Sequence, residues 1–189
     1  MKHVILIMMS LICFSWSLKA QQGADSSARV ENKRVLVAYF SCTGTTERVA
    51  DTIAKAIGGK LYRITPAKPY TAADLDWNDK RSRSSVEMSK DDSRPELGGE
   101  PIEVKDYDVI FLGYPIWWNL CPRLVNTFIE KYGFAGKTII PFATSGGSSI
   151  TNSVKDLARR YPKVTWKEGR LLNGGRGQAA EWAKQVIEK

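Results

Sequence analysis

The stretch 40-FSCTGTTERVA-50 decides how this chain folds. It follows VLVAYF (35–40), a near-continuous apolar run of strand formers that reads as a strand buried on both faces, as in a parallel sheet. It leads into Ala50, Ile53, Ala54 and Ile57, whose i, i+3, i+4, i+7 spacing is a helical stripe ended by Gly58-Gly59. Strand, hydroxyl-rich loop and helix therefore succeed one another. A helix starting near Thr46 presents unpaired backbone N–H groups and a partial positive charge, which stabilise an anion. Ser41, Thr43, Thr45 and Thr46 add hydroxyl donors around Cys42, and Gly44 lets the backbone approach closely. One helix cap needs one hydroxyl, and this loop has four. We expect a phosphate cradle built from neutral donors. The lysine of GxxxxGK[ST] and the GxGxxG spacing are both missing, which weighs against nucleotide triphosphates and dinucleotides.

The remaining chain keeps the alternation. KLYRI (60–64) is a second strand, polar at Lys60 and Arg63 and so nearer an edge. DVIFLGY (108–114) is a third, buried strand, followed by a helix with Val125, Phe128, Ile129 and Tyr132 on one face. TIIPFAT (138–144) reads as a fourth strand, although Pro141 suits no central position. A helix from about Ile150 carries Val154, Leu157 and Ala158; VTWKEGRLL (164–172) reads as strand five, and the last helix shows Ala179, Trp182, Ala183 and Val186. This order predicts an α/β sandwich with a mostly parallel sheet. Residues 66–105, with Pro66, Pro69, Pro95 and Pro101 and many charges, are too long for a connection and form an insertion, in which TAADLDWND and SRSSVEMSK are candidate short helices.

In open α/β sheets ligands bind beyond the carboxyl ends of the strands, where the strand order reverses. Three loops meet there. The first is SCTGTT. The second is PIWWNLCP, with Pro115, Ile116, Trp117, Trp118 and Asn119; its prolines stiffen it, and we expect one tryptophan to pack on the next helix and the other to take a planar ligand. The third is TSGGSS, where Thr144, Ser145, Gly146 and Gly147 would offer backbone donors or merely form a turn before the next helix.

With these motifs the chain resembles the flavodoxin-like FMN-binding family, in particular a subgroup of small bacterial members. YFSCTGTT is similar to the family's phosphate-loop pattern, GYPIWW to its second flavin loop, and TSGGSS falls at the third, over residues 34 to 188. The resemblance implies a three-layer sandwich on a five-stranded parallel sheet of order 2-1-3-4-5. It implies FMN as cofactor, held by Ser41 to Thr46, by Pro115 to Asn119 and by Thr144 to Gly147, with Trp117 as the stacking residue. It also implies electron transfer with a redox partner protein or a small-molecule acceptor. The alternatives are an NAD(P)H-dependent quinone or nitro reductase, and a binding module that has lost the flavin. Two departures stand out. The third loop lacks an aromatic, which leaves one flavin face open or covered by Tyr70 or Trp77 of the insertion. The chain is also basic where many carriers are acidic.

The 189 residues carry a formal charge of +8. Lys2 and His3 precede VILIMMSLICF, and SWSLKA leads to the small residue Ala20, the order of a secretory signal. We therefore expect residues 1–20 to be a signal peptide, 21–33 a polar lead-in and 34–189 the folded domain of an exported, periplasmic protein without stable membrane insertion. Loss of the signal leaves 26 basic against 20 acidic residues, scattered and without a basic-aromatic run, so no nucleic-acid partner is expected. The only histidine is His3, and no nucleophilic triad or metal-ligand cluster is visible, so no catalytic residue and no metal are assigned. Cys42, beside a helix start, is a candidate for a lowered pKa and for a bridge to Cys121, although both also suit buried filler.

Overall fold

The computed structural model describes residues 34–173 and 176–188; the expected signal peptide (1–20) and lead-in (21–33) lie outside them. β1 (Val35–Tyr39) is buried along its whole length. β2 (Lys60–Arg63) and β5 (Val109–Pro115) flank it, and β6 (Thr138–Thr144) lies beyond β5, all parallel. With β7 (Thr165–Trp166) and β8 (Arg170–Leu171) both on β6, the sheet order is β2-β1-β5-β6-β7; without the two insertion strands this is the expected 2-1-3-4-5. The outermost strand of the sequence reading is divided into β7 and β8.

That division explains Pro141. Along β6, the carbonyls of Ile139 and Ala143 accept from the Lys167 and Leu172 N–H groups on the outer side. Strand alternation turns Pro141 to the same side, opposite the break between Trp166 and Arg170. A residue with no N–H costs no ladder bond there.

Side-chain alternation builds the three layers. Leu36, Ala38 and Phe40 join Leu112, Leu124, Phe128 and Leu157 in one core; Val35, Val37 and Tyr39 join Ile53, Phe111, Phe142 and Trp182 in the other. The first core is shared with α3 (Arg123–Tyr132) and α4 (Thr151–Arg160), the second with α1 (Thr45–Ile57) and α5 (Arg176–Ile187). Each fully buried large side chain contributes about 1.5–3 kcal/mol. β1 is the switch point, since the chain leaves it to β2 on one side and returns as β5 on the other.

The insertion is ordered by its own contacts. β3 (Thr65–Pro66) pairs antiparallel with β4 (Leu97–Gly98) and closes its stem. Of the two expected helices, the second forms as α2 (Arg83–Ser89), capped by the Ser82 side chain. The first shrinks to a 3-10 turn, Ala73–Leu75. Arg94 grips Glu130 of α3 through two nitrogens, at 2.7 and 2.8 Å, and Asp91 pairs with Arg123 and Arg160.

Candidate functional site

The first loop leaves β1 at Phe40, which is held by the Gly113 carbonyl. Ser41 is buried, and its Oγ accepts the Gly44 N–H at 3.1 Å, which closes the loop on itself. Gly44 has φ +83 and caps α1; no side chain caps this helix start, so its first N–H groups face whatever occupies the loop. Thr46, also buried, lies 2.8 Å from Thr144 between their hydroxyl oxygens. The four hydroxyls therefore divide. Ser41 and Thr46 tie the loops, while Thr43 and Thr45 stay near the surface with oxygens 3.4 Å apart. A hydroxyl that accepts one bond keeps its own proton to donate, so the Ser41 O–H remains available.

The donors that line the hollow from this loop are neutral, as read from sequence, and two cations brace the loop from beside it. Arg48, one turn into α1, donates to Thr45 Oγ1 at 3.4 Å, and Arg63 donates to the Ser41 carbonyl at 3.3 Å. The i, i+3 spacing of Thr45 and Arg48 was the signal for the first. Arg63 arrives through the β1–β2 register, opposite Tyr39.

The second loop is a two-residue hairpin. Trp117 and Leu120 exchange backbone bonds of 3.0 and 2.9 Å, and the residues between them, Trp118 and Asn119, have φ +46 and +63. Two positive φ values make a type I′ turn, for which asparagine is well suited and tryptophan is not. Trp117 is half-buried, edge-on to Phe40 at 5.6 Å and to Tyr70 at 5.5 Å; Trp118 is exposed.

A hollow of about 420 Å³ opens where the loops meet, within the size range of small-molecule sites. Ser41, Cys42, Thr43 and Thr46 line it from the first loop. Pro115, Ile116, Trp117 and Trp118 line it from the second, and Thr144 from the third. Gly44, Thr45 and Asn119 are set back from it. Ser145, Gly146 and Gly147 do not line it, and of the two readings of this loop, backbone donors or a turn, the bonds favour the turn. The Ser145 N–H donates to Asn173 at 2.7 Å, and the Ser145 Oγ accepts from Gly147 and Ser148 at 3.2 and 2.8 Å. The insertion supplies the remaining wall with Leu75, Trp77 and Ser84. Trp77 was a sequence candidate; Leu75 and Ser84 were not, since neither sits in a motif.

Cys42 does not behave as a thiol beside a helix start. Burial raises its pKa to about 11, with Arg63 and Arg83 offsetting part of the shift. Both Cys42 and Cys121 are free thiols, so the candidate bridge is not formed and the buried-filler reading fits, and burial pushes Cys121 up as well. Among the described residues, no group of three or more His, Cys, Asp or Glu side chains is placed to hold a metal ion.

Comparison with known proteins bears on this arrangement. A family model described as "Flavodoxin" matches residues 34–186. A solved structure from Bacteroides uniformis, of a protein classed as a flavoprotein, shares 58% identity and covers 80% of this chain and 98% of its own, at a TM-score of 0.78. Another, from Bacteroides eggerthii, shares 56% identity over 84% of this chain and 99% of its own, at 0.79. A Lactobacillus acidophilus flavoprotein, solved in complex with FMN, has the same fold at 20% identity, over 74% of this chain and 93% of its own, at 0.60. No curated protein matches the chain.

Proposed function

The chain belongs to the flavodoxin family, and on that premise we propose that it is an exported FMN-binding electron-transfer protein. The observation that carries this reading is one hollow that joins the hydroxyl loop at the uncapped start of α1 to the half-buried ring of Trp117. The donor set suits the cofactor. For a phosphate dianion the chain offers the N–H groups of the first turn and the hydroxyls of Ser41 and Thr43, with the Arg48 guanidinium close by on Thr45. Gly44 leaves room for close approach, with nothing nearer than 3.5 Å to the position of a side-chain carbon. A flat ring system finds Trp117 and Ile116. When bound, FMN supplies one- and two-electron redox chemistry.

The residues of the chain do the holding. Ser41, Thr43 and Thr46 hold the phosphate end. Pro115 to Trp118 fix the ring and keep water from one side of it. Trp117 opposes added negative charge on the ring it faces, which lowers the reduction potential. The redox partner is a protein or a small-molecule acceptor, and no acid–base residue is needed. The polar-start, apolar, small-residue order of residues 1–20 supports export to the periplasm.

A second reading, an NAD(P)H-dependent FMN reductase of quinones or nitro compounds, is favoured by one observation. The third loop adds no aromatic to the hollow, and Trp77, which lines it, is 73% exposed, so there is room for a substrate against the ring. A visible-spectrum titration of the full chain with FMN, followed by NADPH, separates the readings. Tight FMN binding with slow bleaching by NADPH is expected for the carrier. Rapid bleaching assigns the reductase. A colourless protein that takes up no FMN removes both.

A further inference from the structure

Tyr70 lies in the insertion, outside every flavin motif, yet it touches the ring that the site depends on. Its centroid is 5.5 Å from Trp117 at 79° and 5.8 Å from Phe40 at 58°, and Phe40 is itself 5.6 Å from Trp117. Three rings thus hold one another at steep angles, a favourable arrangement because positive ring edges meet negative faces. On its other side Tyr70 is gripped by α2. Its hydroxyl donates to Glu87 Oε2 at 2.6 Å, and the Arg83 guanidinium lies 4.0 Å from its ring centroid. Arg83 Nε donates to Glu87 Oε1 at 2.7 Å, and Arg83 Nη1 to the Lys68 carbonyl at 2.7 Å. The pair is largely shielded, at 21% and 12% side-chain exposure, and every charge in it has a partner. Such a closed cluster confines a side chain to one geometry.

We propose that Tyr70, clamped by Arg83 and Glu87, is a positioning residue that fixes the Trp117 ring for the flavin, and that this is a role of the insertion. The inference rests on the FMN reading above. Phe40 alone leaves Trp117 supported on one edge, and the indole can then turn about its side-chain bonds into the hollow. With Tyr70 in place, the second edge is blocked before any ligand arrives, so the cofactor need not order the ring as it binds.

Two readouts test this on the full chain. The first uses ligand-free protein labelled with 5-fluorotryptophan, with the Trp117 fluorine resonance assigned through Trp117→Phe. Tyr70→Leu keeps apolar volume but removes the ring, and it is expected to broaden or split that resonance, beyond the simple shift that follows from losing a ring 5.5 Å away. Tyr70→Phe keeps the ring and is expected to restore most of it. The second readout is the FMN dissociation constant from flavin fluorescence quenching. It should weaken about tenfold in Tyr70→Leu and recover to within about threefold of the parent in Tyr70→Phe. A Trp117 resonance that is unaltered or simply shifted in Tyr70→Leu overturns the proposal. So does a broadened or split resonance with parental FMN affinity, even if the melting temperature falls, because Tyr70 would then serve the fold alone. If Tyr70→Leu does not fold, Arg83→Met carries the same test, with a broadened resonance expected and an unchanged one overturning. Should the parent protein take up no FMN, the cofactor reading fails by itself, and the ligand-free resonance still decides whether Tyr70 positions Trp117.

Discussion

The hydroxyl oxygens of Thr46 and Thr144 lie 2.8 Å apart, in a buried contact between the first turn of α1 and the last residue of β6. The two residues are 98 positions apart in sequence. Their bond sets the spacing of the first and third loops and forms part of the hollow, which both residues line. One hydroxyl donates and the other keeps its proton, so the pair braces the site and still offers a donor to an anion.

Thr144→Val tests that brace. It leaves the buried Thr46 oxygen without its partner, which should cost about 1–3 kcal/mol of stability. Urea unfolding is the check, together with FMN titration, which should show weaker binding. Unchanged stability and affinity would mean that the contact is incidental.

Gly113 sits in β5 between Tyr39 and Phe142, and a side-chain carbon there would lie 2.2 Å from the Phe142 ring. Gly113→Ala should therefore lower stability by at least about 1–3 kcal/mol, the usual cost of overpacking a core. A thermal melt that matches the parent protein would show that the core has slack around Phe142.

The Cys42 thiol is raised by burial to about 11. A raised thiol favours the protonated folded state, so its contribution to stability is present below the ordinary thiol pKa and fades as pH rises through about 11. At pH 7 to 8 the native protein should react slowly with iodoacetamide, on a scale set by thiolate content. Thiolate absorbance rising near pH 9 would show an accessible, unshifted thiol.

Trp118 holds φ +46 in the I′ turn. Side chains other than glycine, asparagine and aspartate cost about 1 kcal/mol or more there. Trp118→Asn should raise the melting temperature, by an amount that corresponds to about 1 kcal/mol. If stability falls, the exposed indole contributes more through packing than its backbone costs, and the strain argument is wrong.

Much of this was legible in the residues. The apolar runs at 35–40, 108–114 and 138–144 announce buried parallel strands, because a strand covered on both faces needs no polar alternation. The hydroxyl loop and the paired tryptophans marked two of the hollow's four walls. What sequence concealed depends on distant contacts. The break in the outer strand that accommodates Pro141 is visible only once β7 and β8 are aligned on β6. The thiol of Cys42 follows its burial rather than its place before a helix, and no local pattern reports burial by an insertion. The Ser145 hydroxyl takes up the N–H groups of Gly147 and Ser148, two donors that the composition of the loop offers to a ligand. Ser84 lines the hollow from α2, far in sequence from the three loops, and sits in no motif.

The central claim is that the loop from Ser41 to Thr46 seats the phosphate of FMN at the start of α1. Parallel titrations of the full chain with FMN and with riboflavin, followed by flavin fluorescence, test it most directly, since the two ligands differ only in the phosphate. The account predicts that FMN binds at least about tenfold more tightly, a difference of about 1.4 kcal/mol, and that Thr43→Ala narrows the gap. Equal affinity for the two ligands would contradict it.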